Sequence, residues 1–190
     1  NNNCVYVDKT ELVYRLTHTD QVYFLSRPRR FGKSLLVSTL EAYFQGKKDL
    51  FGGLAMERWE KDWESYLVLH IDFSLTKYME LTDLTGQLNL FLHRWEKIYG
   101  KDEAEKTASE RLQGIILRAS EQIGKQVVVL IDEYDAPLLD SNSDTALQQQ
   151  LRNEMRKFFS PPQEVGAVSS LSLHHRHQQV QPTEHLQRTE

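Results

Sequence analysis

Cys4 is the chain's single cysteine. One thiol excludes an internal disulfide and a multi-cysteine metal site, and points to a reducing, cytoplasmic compartment. Long apolar runs are missing too. None approaches the roughly 20 residues that cross a bilayer, so no membrane span is expected. The opening Asn1-Asn2-Asn3 has neither the basic nor the apolar region of a signal peptide. With no methionine at its start, the chain is expected to begin inside a longer one. An excess of positive charge is also absent: 23 lysines and arginines face 27 acids, for a net charge of −4 and a pI of about 6.0. A protein that holds duplex nucleic acid through its phosphates is usually basic, so any such contact would need a local patch. What remains is 190 residues, 39% hydrophobic and 26% charged, the profile of one globular domain with a sizeable core.

Hydrophobic patterning divides the chain into alternating strands and helices. Cys4 to Leu16 reads as a short extended stretch and a short helix, which Asp8 or Thr10 could cap. Gln21 to Ser26, holding Val22, Tyr23, Phe24 and Leu25, suits a buried strand. A loop punctuated by Pro28 follows. Leu36, Leu40, Tyr43 and Phe44 then fall at helical spacing, up to about Gln45. Tyr66 to Phe73, with Leu67, Val68, Leu69 and Ile71, reads as a second buried strand. Leu84, Leu88, Phe91, Trp95 and Ile98 mark one long helix ending near Gly100, and Leu112, Ile115, Ile116, Ala119 and Ile123 mark another. Val127 to Ile131, five consecutive apolar residues, reads as the most deeply buried strand. Leu147, Leu151, Met155 and Phe158 sketch a last helix. Strands alternating with helices imply parallel pairing through crossovers, hence an α/β fold with helices on both faces of a mostly parallel sheet.

Gly32-Lys33-Ser34 sits between a strand and a helix, where a phosphate-binding loop belongs. Free N–H groups at a helix start, together with the helix dipole, favour an anion. The backbone of Arg30, Phe31, Gly32, Lys33, Ser34 and Leu35 would cradle the phosphates of ATP. Lys33 would reach the β- and γ-phosphates, and the Ser34 hydroxyl would ligate Mg2+. The usual G-x-x-x-x-G-K-[ST] pattern wants glycine at position 27, where this chain has Arg27. An ordinary loop with a solvated lysine is the competing reading. The basic run Arg27-Pro28-Arg29-Arg30-Phe31 could add charge-assisted contacts or simply be solvated.

The second half of the candidate site is Val127-Val128-Val129-Leu130-Ile131-Asp132-Glu133. A buried strand ending in two acids delivers them to the sheet edge where ligands of open α/β folds bind. Asp132 would hold magnesium and Glu133 would orient the attacking water, so Lys33 and Glu133 are the catalytic candidates and Ser34 and Asp132 the metal ligands. Asp135 would lie behind them or cap the segment after it. An exposed acidic turn is the bland alternative. Trp59, Trp63 and Trp95 read as packing residues rather than a platform for a base.

Three strings together, Tyr6-Val7-Asp8-Lys9-Thr10, Ser26-Arg27-Pro28-Arg29-Arg30-Phe31-Gly32-Lys33-Ser34 and Ile131-Asp132-Glu133-Tyr134-Asp135-Ala136-Pro137, resemble the bacterial AAA-ATPase-like proteins. The resemblance runs from about Cys4 to Ser160 and covers Arg27, since the family itself carries arginine there. It implies a P-loop NTPase-like domain that binds ATP with magnesium, often followed by a restriction-endonuclease-like domain. It also suggests Tyr6 to Thr10 for the adenine. A nucleotide-gated switch and a nucleic-acid-processing module are the alternatives.

The composition shifts after Ser160, so residues 1–160 read as an incomplete domain and 161–190 as a foreign or disordered tail. In the family a strand of the form R-F-x-F-x-T-G follows. Read one base later with permitted codons, Ser169 to Thr189 becomes L-R-F-L-F-T-T-G-I-S-K-F-S-Q-L-S-I-F-S-E-L. A frameshift near Pro161-Pro162 accounts for this and makes His174, His175 and His177 accidental neighbours rather than metal ligands. On that view the C-terminal strands are missing, two central strands lose their shared neighbour, and this chain is unstable or a remnant.

Overall fold

The computed structural model describes residues 7–19, 22–24, 32–159 and 169–172. The chain is α/β. Among the described residues, four strands, β1 (Val22–Phe24), β2 (Leu67–Asp72), β3 (Val127–Asp132) and β4 (Ser169–Ser172), form one sheet in the order β1-β4-β3-β2. Every pairing is parallel, and β2 and β3 run in register from Leu67↔Val127 to Asp72↔Asp132. The helices are α1 (Thr10–Thr17), α2 (Lys33–Phe44), α3 (Ala55–Trp59), α4 (Leu81–Tyr99), α5 (Ala108–Ile123), α6 (Ala136–Asp140) and α7 (Thr145–Phe158).

Strand β3 organises both layers. All six of its residues are buried, and successive side chains point to opposite faces. Val127, Val129 and Ile131 join a core with Leu69, Ile71 and the inner faces of α4, α5 and α7. Val128 and Leu130 join a second core with Val13 of α1, Val37 and Leu40 of α2, Phe51 and Met56. An apolar strand without alternation is what a sheet covered on both faces requires.

The long helices carry their own boundaries. A reciprocal cap between Glu80 and Asp83 opens α4, and a second, between Thr107 and Glu110, opens α5. Gly100 and Gly124 end them at positive φ. Across their packed faces Arg111 donates from Nε and Nη2 to the two carboxylate oxygens of the buried Glu96, at 2.6 and 2.9 Å.

The short helix α3 has a non-local origin. Its first free N–H groups, on Ala55 and Met56, donate to Asp8 Oδ2 and Thr10 Oγ1 at 2.7 and 2.9 Å. Asp8 Oδ1 meanwhile accepts from the Thr10 N–H, so the same carboxylate also serves α1. These contacts tie α1 to α3, and Thr10 is fully buried there. The expectation that Asp8 or Thr10 caps the first helix is not met: the N-cap is Lys9, without a side-chain cap, and Asp8 takes the Thr10 N–H from one position earlier.

One expectation is overturned. The place between the strand before α2 and the strand bearing Asp132 is not vacant: Ser169–Ser172 pairs with Val22–Phe24 on one side and with Val128–Ile131 on the other. Strand pairing uses backbone N–H and C=O groups, which every residue but proline carries. A segment of unlike side chains can therefore close the ladder, and no unpaired centre of the sheet follows from its composition.

Candidate nucleotide site

Lys33, Glu133 and Asp135 meet beyond the C-terminal end of β3. Helix α2 packs against β3, with Val37 and Leu40 over Val128 and Leu130. That packing fixes the start of α2 beside the end of β3. Gly32 stands at the N-cap with φ 74 and ψ 27, the left-handed region that favours glycine. A Cβ there would meet nothing within 4 Å, so the demand is one of backbone conformation, not of space.

Lys33 is the first residue of α2 and is 4% exposed. Its Nζ lies 3.6 Å from Glu133 Oε2 and 3.7 Å from Asp135 Oδ1. Both distances are too long for a hydrogen bond, and the buried ammonium makes none. Residues 33 and 133, a hundred positions apart in the chain, thus converge on one point. Ser34 and Leu35 follow in the exposed first turn of α2, with Leu35 56% exposed. Arg30, Phe31, Arg27 and Arg29 lie outside the described residues, as does Tyr6.

On the other side the chain turns sharply after β3. Asp132 is buried, and its Oδ1 accepts the Glu133 N–H at 2.9 Å. Glu133 has φ 50, the one non-glycine with positive φ among the described residues. A residue with a side chain gives up roughly 1–2 kcal/mol to sit there. Here the turn, closed by the Ala136 N–H on the Glu133 carbonyl at 2.8 Å, sets the side chains of 133 and 135 at the same ammonium. Asp135 occupies the N-cap of α6 but its carboxylate caps nothing. Both its oxygens are buried without a hydrogen bond. Tyr134, between them, packs its ring on Phe73 and Phe159, and burial pushes its hydroxyl pKa up.

Two features escape a reading of the sequence alone. Asp135, expected behind the site or at a cap, is instead one of the two anions facing Lys33; its distance from position 33 in the chain gives no signal of this. Asp72 ends β2 in register with Asp132, adding a carboxylate at the same sheet edge, and its Oδ1 accepts the Ser74 N–H at 2.8 Å. The acid closing Leu67-Val68-Leu69-His70-Ile71-Asp72 is visible in the sequence as a weaker copy of the β3 pattern. Asp8 and Thr10, suggested for the adenine, have their side chains engaged with α3. Trp63 packs on Phe51 and Tyr43, and Trp95 stacks on Phe91, as packing residues do. Trp59 is half-exposed beside Tyr14.

Among the described residues, no three His, Cys, Asp or Glu side chains gather as a ready metal cage, and no helix is long and apolar enough to cross a membrane. No solved structure matches the chain. A protein of Azotobacter chroococcum mcd 1, described as an uncharacterized protein in the vnfD 5' region, is 38% identical over 157 residues. That alignment covers 82% of this chain and 30% of the relative, so the chain spans under a third of that protein's length. The family model for predicted AAA-ATPases matches residues 1–171, taking in the candidate site and most of β4. The chain belongs to this AAA-ATPase-like family.

Proposed function

We propose that this chain binds ATP together with magnesium and hydrolyses it at the meeting point of α2 and β3, in a P-loop NTPase arrangement. The observation that carries the reading is Lys33: a buried ammonium with no hydrogen bond, at the start of a helix, beside a strand end rich in carboxylates. Leaving a buried charged donor unsatisfied costs about 1–3 kcal/mol or more. A phosphate would satisfy it and would meet the free N–H groups at the α2 N-terminus as well. The sheet order β1-β4-β3-β2 supports the same reading, since it sets the strand before the Gly-Lys-Ser turn and the strand bearing Asp132 about one common neighbour.

The residues fit a magnesium nucleotide. Ser34 and Asp132 offer the hard oxygen donors this ion takes, usually one or two from protein with the rest from water and phosphate. Magnesium, when bound, neutralises charge on the phosphates. Lys33 would bind the β- and γ-phosphates and stabilise the charge that develops between them. Gly32, Lys33, Ser34 and Leu35 would donate backbone N–H groups, with Arg30 and Phe31 completing the cradle. Glu133, 23% exposed at its side chain and thus open to water, would orient the attacking molecule and accept its proton.

The test is magnesium-dependent release of phosphate from ATP, with Lys33→Ala and Glu133→Gln each expected to lower the rate at least about a hundredfold. Rates unchanged in both variants would reject the assignment. Nucleotide binding without turnover would favour a switch acting on a further domain, a reading that gains weight from the small share of the relative this chain spans. The nuclease-like domain implied by the resemblance would be such a partner.

A further inference from the structure

We propose that Asp135 is a positioning residue for Lys33, and that its charge makes the site reject a polyphosphate arriving without a divalent cation. The inference rests on the nucleotide reading above and deepens it. Its ground is the carboxylate itself: 5% exposed, both oxygens buried, no hydrogen bond, and Lys33 Nζ at 3.7 Å as its counter-charge. An N-cap residue ordinarily spends its side chain on the helix it opens, and Asp135 does not. Structural duty therefore leaves this group unexplained.

Charge explains it. Lys33 lies close to both Glu133 and Asp135, so one ammonium faces two carboxylates at this strand end. While nothing else competes, Asp135 and Glu133 hold the ammonium over the end of β3. When Lys33 turns to a phosphate, its charge is shared with that phosphate and Asp135 is left as a buried anion beside another anion. Glu133 is partly exposed and can turn to water; Asp135 is enclosed and cannot. A buried charge stripped of its partner is strongly unfavourable. A polyphosphate that brings a divalent cation supplies the missing positive charge, and a bare polyphosphate does not.

The test measures binding, not turnover. The dissociation constant of a non-hydrolysable ATP analogue is determined by calorimetry, in magnesium and in EDTA, for wild-type protein and for Asp135→Asn. Asparagine keeps the shape and removes the charge, and Asp135→Ser serves as the second variant should the amide disturb the fold. Wild-type protein is expected to bind the magnesium form much more tightly. In both variants the EDTA constant is expected to fall roughly tenfold, while the magnesium constant changes little, so the ratio narrows. A merely structural role would weaken both constants together and leave the ratio alone, and that result overturns the proposal. Narrowing through weaker binding in magnesium would make Asp135 a metal ligand instead, which also overturns it. Absence of binding by wild-type protein in either condition would overturn the nucleotide reading and this proposal with it. Binding by wild-type protein with an unchanged ratio in both variants would overturn this proposal alone.

Discussion

Lys33→Met should destabilise the protein even before any nucleotide is added. The ammonium lies 3.6 Å from Glu133 and 3.7 Å from Asp135, inside a site where Lys33 is 4% exposed. At an effective dielectric near 20 each pair is worth about 4–5 kcal/mol of attraction, and most of that is offset by the cost of desolvating the charges. Removing one partner of a buried pair leaves the desolvation without the attraction, typically about 3–5 kcal/mol. Water screens the partly exposed Glu133, so the lower end applies and the expected loss is about 3 kcal/mol. Methionine keeps the length of the lysine stem, which separates charge from cavity. The decisive comparison is the double variant Lys33→Met/Asp135→Asn. With the stranded carboxylate neutralised, about 2 kcal/mol should return, although nucleotide binding should not. Urea unfolding followed by tryptophan fluorescence reads wild type, Lys33→Met, Asp135→Asn and the double variant. If Lys33→Met stays within about 0.5 kcal/mol of wild type, or Asp135→Asn adds to the loss, the buried pairing described here is wrong.

Three further outcomes rest on the same structure. The Arg111 guanidinium, hydrogen-bonded to Glu96, holds that carboxyl below its ordinary pKa, so the folded state favours the ionised form. Its contribution is present above the unfolded pKa and is lost as pH falls through the depressed folded value. Arg111→Leu should cost about 3 kcal/mol near neutrality, and in thermal melts the gap to wild type should shrink as pH falls below the ordinary glutamate value, near 4.5. Thr10→Val conserves volume but strands the buried Met56 N–H, which should cost about 1–3 kcal/mol and speed hydrogen exchange at Met56 in NMR spectra. Replacing Ser169 to Thr189 with L-R-F-L-F-T-T-G-I-S-K-F-S-Q-L-S-I-F-S-E-L puts large apolar side chains on the central strand, and the melting temperature should rise by about 10 °C. No rise would count against the frameshift reading of the tail, as would nucleotide reads showing an intact frame through Pro161-Pro162.

Much of this protein is legible without coordinates because its signals are local. Val127 to Ile131 announces a doubly covered strand by its unbroken apolar run, and the helices over Leu81–Tyr99 and Ala108–Ile123 announce themselves by spacing and by terminal glycines. Gly32-Lys33-Ser34 and Asp132-Glu133 are readable for the same reason: each motif needs its residues adjacent, at the junction of a strand and a helix. Other features have no local signature. Helix α3 forms where Asp8 and Thr10 supply its caps from more than 40 residues away. The place of Ser169–Ser172 in the sheet rests on backbone pairing, which side-chain composition does not encode. That Asp135 rather than a cap partner faces Lys33 depends on the left-handed turn at Glu133. By itself, then, the sequence determined the strands and long helices that carry a local pattern, and which residues are the candidates for a phosphate site. Only the tertiary structure decided which charges meet, because burial and ion pairing depend on distance in space and the chain order carries none of it.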